Sequence, residues 1–183
     1  MLAMPNRPPL FLRSLSPVIA TTVLLVFGLS GAHAKPVRHA KAAGAQCVIA
    51  SMAFDFTHET HELRTMMGTD PDEAAAFLEA AGADVLGLNC GTNIDMARAL
   101  AAVQRYRECS ALPIMAQPNA GQPVLQNLKV IYNQAPEEMA AQAGDMLEAD
   151  VAILGACCGS TPAHIAGLRG RMNQFIETQP QIG

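Results

Sequence analysis

Aromatic residues are scarce in this chain. Its 183 residues include no Trp, two Tyr and six Phe, too few to predict an aromatic platform on which nucleic-acid bases stack. Basic charge is also limited, because the formal net charge is −4 and no Lys/Arg cluster follows the N-terminal region. These features argue against nucleic acid as a partner. Half of the residues are apolar and 15% are charged, which predicts a globular chain of about one domain.

The cysteines are five in number, so they cannot all pair within one chain. They lie at Cys47, Cys90, Cys109, Cys157 and Cys158. Their spacing is unlike that of a small secreted domain held together by disulfides. Metal binding or thiol chemistry in a reducing compartment is the better interpretation, and it predicts a cytoplasmic protein.

The N-terminal segment conflicts with that localisation. Residues 7–34 have basic residues first, an apolar run over 17–32, and small residues that would suit cleavage after Ala34, the layout of a secretory signal. The run is short for a membrane span, which needs about 20 apolar residues. Two alternatives stay open: a strand of the fold itself, or sequence foreign to the domain. Export would oxidise the thiols, so the signal and a thiol site exclude each other.

Strand and helix patterns alternate from Cys47 onward. Buried-strand patterns in "CVIASMAF", "DVLGLNCG", "LPIMAQPNAG" and "ADVAILG" are separated by helical patterns, which predicts a parallel α/β sheet with right-handed crossovers. Residues 71–91 also match residues 136–159: both open on Pro-acid-Glu, continue to Ala-Asp-Val and end in cysteine and glycine. Helix starts are predicted where Asp70 precedes Pro71 and where Thr161 precedes Pro162.

Three cysteines fall where predicted strands end. Cys90 ends one strand, and Cys157 with Cys158 ends another. Parallel sheets place chemistry at the carboxyl ends of their strands, and zinc accepts three thiolates with a fourth position left open. Adjacent strand residues point to opposite faces, so Gly155 and Gly159 are predicted to permit the backbone that turns both sulfurs together. A catalytic thiol pair or a disulfide is the alternative.

Other polar residues and cysteines carry weaker signals. Four of them are interpreted as structural or solvated: Cys47, Cys109, His58 and His61. His164 is interpreted as a side chain of the first turn of the last helix and not as a ligand. Asn89 and Asn119 lie at predicted strand exits, where an amide can orient a small polar substrate, so both are tentative substrate-binding residues.

Four stretches together resemble one known family. "GADVLGLNCG", "PIMAQPNAGQP", "APEEMA" and "GACCGSTPAHIAGLR" are similar to motifs of the zinc-dependent homocysteine S-methyltransferase family. The resemblance covers about residues 40–171. Ala156 stands where the family usually has the second glycine of Gly-Gly-Cys-Cys-Gly.

The resemblance implies a fold, a metal and a reaction. The family fold is a (β/α)₈ TIM barrel, and this chain matches its last four βα units, which predicts a partial barrel. By position, Cys90, Cys157 and Cys158 become the ligands of Zn²⁺. The implied reaction transfers a methyl group to the thiol of homocysteine and gives methionine. The family uses different methyl donors, and the stretch "RTMMG" favours a corrinoid carried by a partner protein.

The chain is shorter than a full barrel, which needs at least about 200 residues. We therefore expect three parts: an apolar N-terminal segment at 1–34, a homocysteine-binding-type half-barrel at 40–176, and a tail at 177–183. A homodimer or a partner chain is expected to complete the barrel. The alternatives to a truncated methyltransferase are a non-catalytic zinc-binding or assembly module, and an exported protein with a disulfide between the paired cysteines.

Overall fold

The fold is seen in a computed structural model that describes residues 23–27 and 34–178. The remaining residues of the signal-like segment, and residues 179–183 of the predicted tail, lie outside the described residues. Five helices are present in the described part of the chain: α1 (Ala34–Ala42), α2 (Pro71–Ala80), α3 (Met96–Cys109), α4 (Pro136–Glu148) and α5 (Pro162–Thr178). None of these helices combines the length and apolar character that a bilayer crossing requires.

Nine strands accompany these helices among the described residues. In chain order they are β1 (Val23–Phe27), β2 (Cys47–Met52), β3 (Asp55–Thr57), β4 (Glu62–Arg64), β5 (Val85–Asn89), β6 (Ile114–Gln117), β7 (Pro123–Gln126), β8 (Lys129–Tyr132) and β9 (Val151–Leu154). Five of them form one sheet in the order β1-β2-β5-β6-β9, and every neighbouring pair in it is parallel. The predicted parallel α/β sheet is therefore confirmed.

Four strand-helix units make up most of the sheet. Strands β2, β5, β6 and β9 are each followed by one of the helices α2 to α5. β1 adds a fifth strand, pairing from Val23 opposite Cys47 to Phe27 opposite Ser51. These five apolar residues of the N-terminal run thus form a strand of the sheet, as one of its three interpretations predicted.

The core lies where the helices cover one face of the sheet. Leu86 and Leu88 of β5 are buried on that face, together with Tyr106 of α3. The Tyr106 hydroxyl donates a hydrogen bond to the carbonyl oxygen of Gly87 at 3.2 Å, which satisfies its buried polar group. The opposite face carries a smaller cluster that includes Val85 and Met115. Burial on both faces explains why these strands read as continuous apolar runs.

Helix α2 begins where its sequence predicted. The Asp70 carboxylate accepts a hydrogen bond from the Glu73 backbone N–H at 3.0 Å. The Glu73 carboxylate accepts one from the Asp70 N–H in return, and Pro71 fills the first helical position. This reciprocal cap satisfies two backbone donors that the helix itself cannot pair.

Asp70→Ala is expected to lower the free energy of unfolding by about 1 kcal/mol at pH 7 through loss of this cap. Partial burial raises the pKa of Asp70, but the Glu73 N–H and the Arg105 guanidinium outweigh it, so the pKa lies below its usual value. The carboxylate therefore stabilises the fold above its unfolded-state pKa, and this contribution disappears as the pH falls through the folded-state pKa.

Urea denaturation of the parent and the variant at neutral and acidic pH measures this contribution. The difference between them should shrink at acidic pH. Asp145→Ala, on an exposed position of α4, is the control and should show no such pH-dependent loss. An equal loss at both pH values for Asp70→Ala would contradict the role of the charge.

Two hairpins interrupt the strand-helix alternation. β3 pairs with β4 after β2, and β7 pairs with β8 between β6 and α4. The β7–β8 turn consists of Asn127 and Leu128, which both have positive φ, 49° and 62°. Two such residues make the tight turn that matches the twist of paired strands. The hairpin stands out from the sheet, and Tyr132 is its one half-buried residue.

Candidate metal centre

The three cysteines expected at the strand ends lie together in the structure. Cys90 directly follows β5, whereas Cys157 and Cys158 lie in the turn after β9. Their sulfur atoms are all within 4.8 Å of one another. The Cys90 and Cys158 sulfurs are 3.2 Å apart, and those of Cys157 and Cys158 are 4.0 Å apart. This spacing brings thiols from two non-adjacent strands to one point.

The end of β6 and the loop that follows it hold these cysteines in place, because β6 lies between β5 and β9. Residues of this segment form backbone hydrogen bonds with all three cysteines. The Cys90 N–H donates to the Gln117 carbonyl at 3.2 Å, and the Cys157 N–H donates to the Pro118 carbonyl at 2.8 Å. On the third cysteine, the Cys158 carbonyl accepts from the N–H of residue 120 at 2.9 Å. Backbone hydrogen bonds alone therefore position the three cysteines, without a contribution from a metal ion.

The backbone at Cys90 takes an unusual conformation. Cys90 has φ of 42° and Gly91 has φ of 103°, both in the region that side-chain-bearing residues rarely adopt. A side chain could not replace the glycine, because an added Cβ would lie 1.7 Å from the Phe54 carbonyl oxygen. Strained conformations of this kind persist where the surrounding structure imposes them, often at functional sites.

The prediction for the glycines around the cysteine pair needs a correction. Gly159 has φ of 79°, as expected of a residue that turns the chain, but Gly155 is not among the residues with positive φ. Gly155 instead permits close packing, since an added Cβ there would lie 3.3 Å from the Gln117 side chain. The pair also lies beyond the end of β9, so the alternation of strand side chains does not apply to it.

The donor set fits a zinc ion. With zinc–sulfur bonds of about 2.3 Å, tetrahedral ligands place their sulfurs about 3.8 Å apart, and the Cys90–Cys158 and Cys157–Cys158 separations of 3.2 and 4.0 Å bracket that value. In the described part of the chain, this is the one group of three or more Cys, His, Asp or Glu side chains close enough to share an ion. Three protein ligands are the number that leaves one tetrahedral position open.

Neighbouring thiols shift the pKa values of Cys157 and Cys158. Burial and the Cys90 thiol raise the pKa of Cys157 to about 12. The pKa of Cys158 is lowered, chiefly by a hydrogen bond with Cys90 and also by one from the Tyr132 hydroxyl, against the effect of burial. The cluster thus favours one thiolate, at Cys158, and keeps a proton on Cys157, which a metal ion would displace.

Tyr132, which sequence reasoning missed, reaches this site from the end of β8. Its ring packs on Gly159, where an added Cβ would lie 2.1 Å from the ring atom Cγ. The apolar residues on both sides of Asn127 favour two strands joined by a tight turn and could have indicated the element. They could not have indicated that its last residue meets the thiols.

Two further cysteines and two histidines singled out in the sequence lie apart from the cluster. Cys47 lies on β2 against the smaller apolar cluster, and Cys109 is exposed at the end of α3. His58 and His61 contact the Phe56 ring in the β3–β4 hairpin.

His164 is buried in the first turn of α5. Its Nδ1 accepts a hydrogen bond from the Thr161 N–H at 3.1 Å, and its Nε2 lies 3.0 Å from the Gln134 carbonyl oxygen. The Thr161 hydroxyl, predicted to cap the helix, lies 2.9 Å from the same Nδ1.

The two candidate asparagines differ in what they bond. Asn89 is buried, and its Oδ1 accepts a hydrogen bond from the Ser51 hydroxyl at 2.7 Å. Asn119 is 3% exposed, and its Nδ2 donates to the Gly91 carbonyl at 3.1 Å. The Asn119 Oδ1 is buried and has no hydrogen-bond partner among the described residues. Asn119 therefore keeps an acceptor free for a ligand.

Disulfides are absent from the five cysteines, all of which lie in the described part of the chain. The 4.0 Å between the sulfurs of Cys157 and Cys158 is about twice the length of a disulfide bond. The structure thus presents the pair as thiols.

Comparison with known proteins identifies the family to which the sequence is related. The family model for homocysteine S-methyltransferase matches residues 31–172. The methionine synthase of Mycobacterium tuberculosis is 37% identical over 131 residues, which cover 69% of this chain and 11% of that protein. The methionine synthase of Mycobacterium leprae is 36% identical over 114 residues, covering 60% of this chain and 9% of that protein. The chain thus spans about a tenth of the length of these relatives.

Among solved structures, the chain is similar to the metallated form of the homocysteine methyltransferase MmuM from Escherichia coli. The TM-score is 0.47 at 21% sequence identity, and the match covers 75% of this chain and 52% of that one. The family assignment rests on the sequence match, which extends over well more than half of the chain. The chain belongs to the homocysteine S-methyltransferase family.

Proposed function

We propose that this chain is a zinc-binding domain that transfers a methyl group to the thiol of homocysteine and gives methionine. One observation carries the proposal: in a member of this family, three cysteine sulfurs lie within 4.8 Å of one another at the carboxyl edge of a parallel sheet. We further propose that residues 40–176 are the last four units of a (β/α)₈ barrel, with residues 1–34 and 177–183 outside that domain.

In this proposal Cys90, Cys157 and Cys158 hold the metal. Zinc held there would act as a Lewis acid and lower the pKa of a bound substrate thiol, so that the thiolate exists near neutral pH. The three cysteinates give the site net negative charge and leave one side of it for the substrate. The homocysteine thiol loses its proton to solvent, and its sulfur lone pair forms the new bond to the methyl carbon. The old bond from that carbon breaks, and its electron pair stays on the donor.

Asn119 is the better placed of the two asparagines to contact the substrate. Its Nδ2 bond to Gly91 fixes the amide next to Cys90, and its buried Oδ1 lacks a partner among the described residues. An unpaired buried acceptor is costly, and a donor such as the ammonium group of homocysteine would satisfy it. Asn89 already accepts a hydrogen bond from Ser51, so we assign it to holding the ends of β2 and β5 together.

We propose that other polypeptides supply the methyl donor and the rest of the barrel. The curated relatives are methionine synthases, which supports a corrinoid, carried by a partner, as the donor. In the described residues the sheet ends at β9, where Ile153 is 42% exposed, and an apolar strand at a sheet edge favours further pairing. We propose that another segment or chain covers this edge, in the reducing cytoplasm that free thiols require.

The open sheet also favours a second candidate, a zinc-binding module without catalysis. Within the described residues the sheet has five strands, whereas the family barrel has eight. A chain of this kind would hold the metal and leave methyl transfer to a complete domain. The two candidates differ in whether the centre accepts homocysteine and supports turnover.

X-ray absorption on the zinc-loaded chain tests homocysteine binding. We expect the number of sulfur neighbours of zinc to rise from three to four when homocysteine is added, because the three cysteines leave one position open. Homoserine, in which a hydroxyl replaces the thiol, is the matched control and should leave the count at three. A count that stays at three with homocysteine would contradict the proposed substrate.

Methionine formation is then assayed with methylcobalamin, betaine and S-methylmethionine as donors. Methionine from one of them supports the methyltransferase. Three sulfur neighbours in the presence of homocysteine, with no methionine from any donor, favour the non-catalytic module.

A further inference from the structure

The turn that follows β5 carries Cys90 in a backbone conformation that few residues adopt. Three of its four residues, 90–93, have positive φ: Cys90 at 42°, Gly91 at 103° and Asn93 at 63°. Cys90 and Asn93 bear side chains, which disfavour this region, so the surrounding structure must impose it. The position of the Cys90 sulfur therefore depends on what holds this turn.

Residues at the start of β3 hold the turn through their backbone. The Phe56 N–H donates a hydrogen bond to the Thr92 carbonyl at 3.0 Å, and the Phe56 carbonyl accepts one from the Asn93 side-chain amide at 3.3 Å. The Phe54 carbonyl oxygen lies so close to Gly91 that no Cβ fits between them. The turn and the start of the β3–β4 hairpin thus form one bonded unit.

Asp55 adds a side-chain contact to this unit. Its Oδ1 accepts a hydrogen bond from the Thr92 N–H at 2.6 Å, and a bond to an ionised carboxylate is stronger than one between neutral groups. Thr92 lies two residues after Cys90. The paired cysteines are held by a different segment, the loop after β6, so the Asp55 contact acts on the Cys90 side of the cluster.

We propose that Asp55 is a positioning residue of the metal centre, whose carboxylate fixes the 90–93 turn and with it the Cys90 thiol. The inference rests on the proposed zinc function and assigns to it a residue outside the ligand set. A ligand that is ordered before the metal binds saves the entropic cost of ordering it, and outer partners of metal ligands contribute about 10- to 100-fold to metal affinity.

Asp55→Ala tests this role, because it removes the bond to Thr92 at a half-buried position of the hairpin. We expect zinc affinity, measured by competition with a chelator in the reduced protein, to fall about 10- to 100-fold. At saturating zinc, X-ray absorption should show fewer than three sulfur neighbours, because the Cys90 turn relaxes away from the ion. Asp55→Asn keeps an oxygen that can accept the Thr92 N–H and should retain the zinc affinity and the sulfur count of the parent.

Asp84→Ala is the matched control. The Asp84 carboxylate also accepts a backbone N–H at 2.6 Å, that of Val48, but Asp84 precedes β5, whereas Cys90 follows it. Asp84 pairs with Lys41 as well, so its loss should destabilise the fold at least as much. We expect Asp84→Ala to lower the urea midpoint and to leave the zinc affinity and the sulfur count unchanged.

The outcomes separate this inference from the proposed function. A zinc affinity and a sulfur count in Asp55→Ala equal to those of the parent would overturn the role of Asp55 and leave the metal centre standing. An equal loss of affinity in Asp84→Ala would assign the effect to general stability, and an equal loss in Asp55→Asn would assign it to charge; either result contradicts the inference. A parent chain that binds no zinc would overturn the metal centre and the inference with it.

Discussion

Cys158→Ala is expected to reduce bound zinc from about one ion per chain to none after dialysis of the reduced protein. Cys158 lies between the other two thiols, at 3.2 Å from the Cys90 sulfur and 4.0 Å from the Cys157 sulfur. Removing the Cys158 thiol leaves only two sulfur ligands, those of Cys90 and Cys157. We expect zinc affinity to fall by more than about a hundredfold, since even outer partners of a metal ligand contribute 10- to 100-fold.

Elemental analysis of the two proteins measures this loss directly. Cys109→Ala is the matched control, because Cys109 is exposed at the end of α3 and away from the cluster. That variant should retain the zinc content of the parent. Equal zinc in Cys158→Ala and in the parent would show that the metal is bound elsewhere and would contradict the proposed centre.

Zinc binding should also strengthen as the pH rises. Burial raises the pKa of Cys157 to about 12, so near neutral pH the metal must displace a proton from that thiol. The same competition predicts that acidification of the loaded chain releases the ion. A zinc affinity independent of pH between 6 and 8 would contradict binding by these thiols.

Gly91→Ala should have the largest effect on folding, a loss of about 2–5 kcal/mol in the free energy of unfolding. The left-handed φ of 103° costs about 1–2 kcal/mol for a residue with a side chain. The added Cβ would also lie 1.7 Å from the Phe54 carbonyl oxygen, so the backbone must move, and such overpacking costs about 1–3 kcal/mol more. Because Cys90 is the preceding residue, the same movement should weaken zinc binding.

Gly82→Ala separates the two contributions. Gly82 has φ of 93°, but an added Cβ there meets nothing within 4 Å. We therefore expect that variant to lose only the conformational cost, about 1–2 kcal/mol. Urea denaturation of both variants measures the difference, and equal losses would show that the clash with Phe54 is relieved without cost.

Much of the fold and the cysteine cluster could be predicted because their rules are local or follow from parallel pairing. The capping box of Asp70 and Glu73 depends only on the four residues 70–73. Cys90 and Cys158 could be placed together because the carboxyl ends of parallel strands meet at one edge of a sheet. The repeat between residues 71–91 and 136–159 added a second indication of where each strand would end.

Other features of the site depend on contacts that no local pattern specifies. The Phe54 carbonyl, which is distant in sequence, lies against Gly91 next to the positive φ of Cys90. The meeting of Tyr132 with Gly159 depends on how the β7–β8 hairpin folds back over the turn after β9. For the apolar N-terminal run, the sequence favoured a signal over a strand, because the pairing of residues 23–27 with β2 is a tertiary property that composition does not show.

The path of the chain through the site has a consequence for the order of folding. Cys90 and Cys158 are 68 residues apart, and Cys158 follows β9, the last strand of the sheet. In the native fold the three thiols meet across β6, which pairs with both β5 and β9, so we expect the cluster to form late in folding. Closing so long a loop is entropically costly. An ion bound at that stage would offset this entropic cost and stabilise the pairing of β9, the last strand of the sheet.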